Sequence, residues 1–326
     1  MFTALLLALG LLQPATPAAP APEPTVEVAP AVHLIRGAVV PGRGPDGNTI
    51  IFDAPDGLVV VDTGRHTWHS DAILAFAAAR HRPVAAIVNT HWHLDHASGN
   101  VRLKAAYPAA RLYTTAAVDR AIGDGGFLAR DLDRVKAMLD NPDLPATTKD
   151  EMRIFVATME ARAALRPDVP LTRSAPMRLA GRPLDVRVTD SAVTDADVWL
   201  YDETTKVVVL GDLATVPVPY FETACPDRWT ATLDEVWATP FETAVPGHGA
   251  PLTRGQFDAY RTSLKAFVAC ARSDRPGPAC GAEWVTNLSA LIGDDAARRT
   301  AIASNLEYYV TYLRDGGGQA PDCQAR

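Results

Sequence analysis

The chain has 326 residues, enough for one large domain or two modest ones, and its 48% hydrophobic and 21% charged content is ordinary for a globular protein. The formal net charge of −7 leaves no basic footprint, which argues against nucleic acid or an anionic membrane surface and says nothing about chemistry; a small-molecule substrate is expected only from the motifs further along the chain.

Residues 2–12 form one apolar run, followed by Gln13-Pro14 and the small-residue stretch Ala15 to Ala19. The run falls short of the about 20 residues that span a membrane but fits the apolar core of a secretory signal. Thr16 and Ala18 supply the small residues of a cleavage site, although no Lys or Arg precedes the run. The expectation is a signal peptide over 1–19, a linker over 20–30 and one folded domain over 31–326. The mature chain is then periplasmic or secreted, without stable membrane insertion.

Residues 26–62 read as antiparallel strands: Val32 to Arg36 alternates, and Thr49 to Phe52 and Leu58 to Val61 are strand-like. A helix is expected across Ser70 to Arg80, broken by Pro83, then a buried strand over Val84 to Val88, a helix from about Asp95 to Ala106 and a strand over Arg111 to Tyr113. Residues 116–166 carry helical patterns and read as an insertion over one end of a sheet. Strands resume at Leu184 to Val188, Asp197 to Tyr201 and Lys206 to Leu210. Helices follow over Trp229 to Ala238 and Thr253 to Ala271, with a helical C-terminal extension over about 253–316. This mixed order predicts an α/β fold with two sheets and helices outside them, a four-layer αββα sandwich.

Four cysteines, Cys225, Cys270, Cys280 and Cys323, follow the apolar N-terminus. An even count in an exported protein favours disulfides. Cys270 and Cys280 flank a Ser-Asp-Arg-Pro-Gly-Pro turn and are expected to pair, which leaves Cys225 for Cys323.

The chemistry concentrates in Thr90-His91-Trp92-His93-Leu94-Asp95-His96, which follows a buried strand and opens a helix. Zinc takes imidazole nitrogen and carboxylate oxygen at about 2.0–2.2 Å, so three His and one Asp this close together suit one or two ions. His91 and His93 are alternate residues and project to one side of an extended segment.

This motif resembles the His-x-His-x-Asp-His signature of the metallo-β-lactamase superfamily. Val59-Val60-Val61-Asp62-Thr63-Gly64 is similar to that family's first motif, Val207 to Asp212 to its strand ending in Gly-Asp, and Val245-Pro246-Gly247-His248-Gly249 to its Pro-Gly-His-Gly loop. The resemblance implies metal ligands His91, His93, Asp95, His96, Asp212 and His248, with Asp62 bracing the loop from behind. It also implies a zinc-dependent hydrolase in which a metal-activated hydroxide attacks an ester, lactone, lactam, thioester or phosphoester and Asp95 orients the water. Replacing His96 or Asp212 is then expected to abolish activity and lower metal content together, and replacing Asp62 to damage folding or affinity more mildly.

One departure stands out. Where the family carries a third His for the first metal site, this chain has Val193, and no His lies between His96 and His248. The expectation is one tightly held zinc and a second of variable occupancy. His66 or His69 could compensate if they lay near the mouth, although both also read as ordinary polar residues at a helix start. Trp68, Trp92, Phe127 and Trp229 read as pocket lining or plain core. Two other readings stay open: a non-catalytic metal-binding member of the fold, and an iron-dependent sulfur dioxygenase-like enzyme, the latter disfavoured by Val193.

Overall fold

Alternation along the strands sorts the apolar residues into layers in the computed structural model, which describes residues 24–320 and Cys323. The first sheet comprises β1 (Val26–Ala29), β2 (Val32–Ile35), β3 (Thr49–Ala54), β4 (Gly57–Val61), β5 (Val84–Val88), β6 (Arg111–Thr114) and β7 (Val169–Pro170), hydrogen-bonded in that order. Pairing is antiparallel from β1 to β4 and parallel from β4 to β7. The second sheet comprises β8 (Ala175–Leu179), β9 (Arg182–Asp190), β10 (Ala196–Asp202), β11 (Val207–Val209), β12 (Thr243–Val245) and β13 (Leu252–Thr253), in the order β13-β12-β11-β10-β9-β8.

Ile50, Phe52, Val59 and Val61 point between the sheets and meet Val186, Val198, Leu200 and Val209 of the second. Their neighbours Ile51, Leu58 and Val60 point outward against α1 (Thr67–Ala79) and α3 (Asn100–Ala106), through Ile73, Ala77 and Leu103. On the other side Trp199 and Tyr201 leave the second sheet to meet α7 (Pro226–Trp237), α8 (Arg254–Ala271), α9 (Gly277–Asn287) and α11 (Ala296–Asp315); the short α10 (Ser289–Ile292) adds Ile292. The expected four layers are present, and the C-terminal extension forms much of the last one.

Val26–Ala29 is the first of the antiparallel strands read over 26–62 and reaches into the stretch 20–30 read as linker; it pairs with β2, and Val28 and Ala29 pack against the apolar layer between the sheets. The expected signal peptide over 1–19 lies outside the described residues. The helix expected over 95–106 is two pieces, α2 (Leu94–Ala97) and α3, since the Gly99 amide donates to the Gly64 carbonyl. Both expected disulfides form, Cys270 to Cys280 and Cys225 to Cys323, the second closing a sequence separation of 98 residues. No helix among the described residues is long and apolar enough to cross a membrane.

The insertion contains α4 (Ala117–Ile122), α5 (Leu132–Met138) and α6 (Ala146–Glu160). Its last helix is tied to the loop before β3 by a buried histidine. His66 Nδ1 meets Asp46 Oδ2 and Nε2 meets Glu151 Oε1, each at 2.9 Å. The Asp46 carboxylate also accepts from the Arg65 and His66 amides and from Trp68 Nε1, and Glu151 accepts from Arg43 and the Gly44 amide. Burial alone would lower the His66 pKa, but the hydrogen bonds and charges of Asp46 and Glu151 outweigh it and raise the pKa above 6.5. Burial likewise opposes ionisation of Asp46 and Glu151, and His66 more than offsets it, so their pKa values fall below 3.8 and 4.5. The imidazolium's contribution is therefore complete below pH 6.5 and lost as pH rises through its raised pKa, whereas the carboxylates' contribution is lost as pH falls through their lowered values. Rate-corrected hydrogen exchange is expected to show α6 best protected between about pH 5 and pH 6.5 and opening above neutrality. Protection of α6 that rises steadily above neutral pH would contradict this account.

Candidate metal centre

The metal loop leaves the end of β5 and is braced from the end of β4. Asp62 takes a left-handed backbone conformation (φ 59°), which short polar residues tolerate better than most. This turn aims its carboxylate at the neighbouring loop, where it accepts from the Thr90 amide (2.8 Å), the Thr90 hydroxyl (2.7 Å) and His96 Nδ1 (2.8 Å). Because the Thr90 proton is given to Asp62, its oxygen is left to accept from His91 Nδ1 at 2.9 Å. One carboxylate thus fixes two imidazoles, His96 directly and His91 through Thr90, and leaves Nε2 of each free toward the centre.

His93 is fixed by a different device. Thr223, on the segment before α7, donates to the Val193 carbonyl (2.8 Å), so its oxygen accepts from His93 Nε2 (3.0 Å) and Nδ1 faces inward. Val193, standing where a third histidine was missing, thus contributes its backbone to holding His93. The turn around it is closed by Asp197, which accepts from the Val193 and Thr194 amides and the Thr194 hydroxyl. Burial pushes the Asp197 carboxyl up to about 6.

Asp212 sits on a tight turn after β11. Gly211 precedes it with φ 51°, and a Cβ there would lie 2.4 Å from Thr90 Oγ1, so only glycine allows this close approach to the metal loop. The loop carrying His248 is pinned beside it: the Gly247 amide donates to the Gly211 carbonyl (2.7 Å), and Asn48 Nδ2 donates to the Pro246 and Gly249 carbonyls. Gly47 packs against the His96 ring, where a Cβ would come within 2.5 Å.

Six side chains expected to bind metal converge. His91 Nε2 and His93 Nδ1 approach Asp212 Oδ2 at 3.6 and 4.0 Å; His248 Nε2 approaches Asp95 Oδ2 at 3.1 Å and Asp212 Oδ1 at 3.5 Å. His96 Nε2 lies 3.1 Å from Asp212 Oδ1. They form two groups that could each hold an ion, His91-His93-Asp212 and Asp95-His96-His248, with Asp212 between them. His66 and His69 belong to neither group. His66 serves the Asp46–Glu151 tie, and His69 Nε2 meets the Thr49 hydroxyl at 2.8 Å.

The donors fit a divalent cation on this structure's own terms. His91 Nε2 and Asp212 Oδ1 are buried without a hydrogen-bond partner, an arrangement that costs free energy unless a cation satisfies them. Nε2 of His96 and Nε2 of His248 face each other at 3.2 Å. The charge balance points the same way. Burial resists ionisation throughout, yet the charges of Asp212, Asp62 and Asp95 outweigh it at His96, whose pKa rises well above 6.5. At Asp95, burial is outweighed by His96 and His248, and the carboxyl falls well below 3.8. At His91, burial and the charges of His96 and His93 lower the pKa well below 6.5, which favours the neutral imidazole that a metal requires.

Of the four aromatic residues read as lining or core, Trp229 is core, donating to the Leu213 carbonyl, and Trp68 stacks on His66. Trp92 lies edge-on to His93, and Phe127 packs against Trp92 one ring further out. Thr90, Thr223, Asn48 and Asp46 were not singled out by the sequence. Only Thr90, adjacent to the motif, carried a signal that could have found it.

The sequence profile described as the metallo-beta-lactamase superfamily matches residues 42–248. The linear primary-alkylsulfatase of Pseudomonas sp. (strain ATCC 19151) is 23% identical over 284 residues, which cover 81% of this chain and 52% of that protein. This chain therefore spans about half of that relative's length. Among solved structures, a metallo-beta-lactamase from Pontibacter korlensis aligns with a TM-score of 0.53 and 16% identity, over 74% of this chain and 98% of its own. A stereoselective inverting sec-alkylsulfatase from Pseudomonas sp. aligns with a TM-score of 0.58 and 17% identity, over 90% of this chain and 50% of its own. With the profile covering more than half of the sequence and the two donor groups in place, the chain belongs to the metallo-beta-lactamase superfamily.

Proposed function

We propose that this protein is an exported zinc-dependent hydrolase of ester-type substrates. The observation that carries the reading is the pair of donor groups sharing Asp212, with two buried donor atoms left unsatisfied. Bound zinc would supply Lewis acidity and lower the pKa of a coordinated water. His91, His93, Asp95, His96, Asp212 and His248 would hold it. The chain's own part is orientation: Asp62 and Thr223 fix which ring nitrogen each metal-loop histidine presents, and Asp46 and Asn48 hold the loops behind them. The Asp95 side chain is 14% exposed, which places an ionised acceptor where a nucleophilic water can be oriented by hydrogen bond.

The two groups are unequal. Asp95, His96 and His248 have Asp212 as a fourth donor, whereas His91 and His93 have only that shared carboxylate. One zinc is accordingly expected to be held tightly and the second loosely. Two disulfides and the apolar residues 2–12 support export.

A sulfate or phosphate ester is favoured over a lactam. The alkylsulfatase structure aligns over 90% of this chain, against 74% for the Pontibacter lactamase, and the curated relative matched over 284 residues is also an alkylsulfatase.

The test is metal content per chain under chelator competition, together with a turnover panel of sulfate, phosphate and carboxylic esters, lactones, thioesters and lactams. One ion surviving mild chelation, a second lost, and turnover of an ester is the expected result, with Val193→His strengthening the weaker site. Metal retained without turnover of any member would favour a metal-binding protein over an enzyme.

A further inference from the structure

His93 stands where the two helical additions meet. Trp92 and Tyr220 both approach its ring edge-on, at centroid distances of 4.7 and 5.2 Å. Trp92 continues to Phe127 of the insertion at 5.4 Å, and Tyr220 continues to Tyr309 of α11 at 6.3 Å. Trp92 is buried, whereas Phe127 and Tyr220 are half-buried. On the extension side three tyrosines converge on one residue. The Tyr220 hydroxyl donates to Glu222 Oε2 (2.9 Å), the Tyr308 hydroxyl to Glu222 Oε1 (3.3 Å), and the Tyr312 hydroxyl to the Glu222 carbonyl (3.1 Å). Burial and the Glu222 charge push the Tyr220 pKa far up, so its hydroxyl remains a donor.

We propose that Tyr220 and Phe127 are specificity-determining walls that receive an uncharged apolar arm of the substrate, and that Glu222 is a positioning residue through which the C-terminal extension holds Tyr220 in place. This rests on the hydrolase reading for where the reacting head of the substrate lies. The two half-buried rings flank the pair Trp92 and His93, so the surface beside the donor groups is aromatic on both sides. The charged groups beside these rings have partners: Glu222 has the tyrosines, Asp195 has Trp92 Nε1 and Arg120, and the Arg130 guanidinium lies over the Phe127 ring at 4.5 Å. The rings themselves carry no charge and reward apolar contact. The superfamily match ends at residue 248, so the tyrosines of α11 belong to a part of this chain that the match does not reach.

The experiment uses the full, zinc-loaded chain and a series of n-alkylsulfonates, which carry an anionic head and an apolar arm and are not hydrolysed. Calorimetry is expected to show affinity rising about two- to fourfold per added methylene. Tyr220→Ala and Phe127→Ala should each weaken the longest member by about tenfold while leaving the shortest nearly unchanged. Glu222→Ala and Tyr220→Phe, which cut the link and keep the ring, should flatten the series partway, and Glu222→Gln, whose amide oxygen still accepts, should restore it. Metal content stays at the wild-type value in all of them. A wild-type series without dependence on arm length, or variants with the wild-type slope, overturns the proposal. Since binding needs no turnover, a sloped series in a chain that hydrolyses nothing would sink the hydrolase reading alone. Turnover of short esters with a flat series would sink this one alone.

Discussion

Replacing Asp212 with alanine is expected to lower turnover by about a thousandfold or more and to lower the metal content of the same preparation. Asp212 faces both donor groups: Oδ2 lies 3.6 Å from His91 Nε2, and Oδ1 lies 3.1 Å from His96 Nε2 and 3.5 Å from His248 Nε2. Its loss leaves the weaker group with two imidazoles and the stronger group with three donors. It also takes a negative charge from a site whose other carboxylates are Asp95 and Asp62. Bound metal supplies several kcal/mol of charge stabilisation in hydrolysis, and each 1.4 kcal/mol is worth a factor of ten, which sets the size of the effect. Asp212→Asn is the sharper variant, because it preserves the shape of the turn and exchanges one acceptor for a donor. Turnover within about tenfold of wild type with full metal content would show that Asp212 lies outside the working centre.

The layers and the donor set were legible in the sequence for a common reason. Val59 to Val61, Val84 to Val88 and Val207 to Val209 are apolar runs whose neighbours supply the turn and ligand residues, so each strand announces the side chain at its end. The features that escaped are those whose cause is distant in sequence. β7 and β13 are two-residue pairings made by contact with a neighbouring strand, and no local pattern marks them. Thr223 reaches His93 across 130 positions, and Glu151 reaches His66 across 85. A threonine or glutamate on a helix-rich stretch carries no sign of such a partner. The same holds for Val193: the missing imidazole was visible, but the use of its carbonyl to fix His93 through Thr223 was not.

Asp62 is where the stability of the fold and the order of the metal loop are joined, and its replacement tests both. Its carboxylate satisfies the Thr90 amide, the Thr90 hydroxyl and His96 Nδ1, and Asp62, Thr90 and His96 are almost fully buried. Asp62→Ala leaves these donors without an acceptor, at about 1–3 kcal/mol for each group stranded. It also puts a plain side chain at φ 59°, which adds about 1–2 kcal/mol of backbone strain. A destabilisation of about 4 kcal/mol or more is expected, heavier damage to folding than the motif alone implied and a large part of a typical domain's stability, so the alanine variant should be poorly soluble or partly unfolded. Asp62→Asn tolerates the left-handed turn and keeps one acceptor oxygen, so it should fold. Its amide group, however, must present a donor to a donor, either at Thr90 or at His96. The His96 ring then loses its fixed tautomer, and Thr90 no longer orients His91. Metal affinity is expected to fall about 10- to 100-fold in the asparagine variant, with a smaller loss of stability than in the alanine variant. Denaturant unfolding and chelator competition on the two variants read these effects separately. An asparagine variant that binds metal as tightly as wild type would show that the imidazoles are held by the backbone of the loop and not by Asp62.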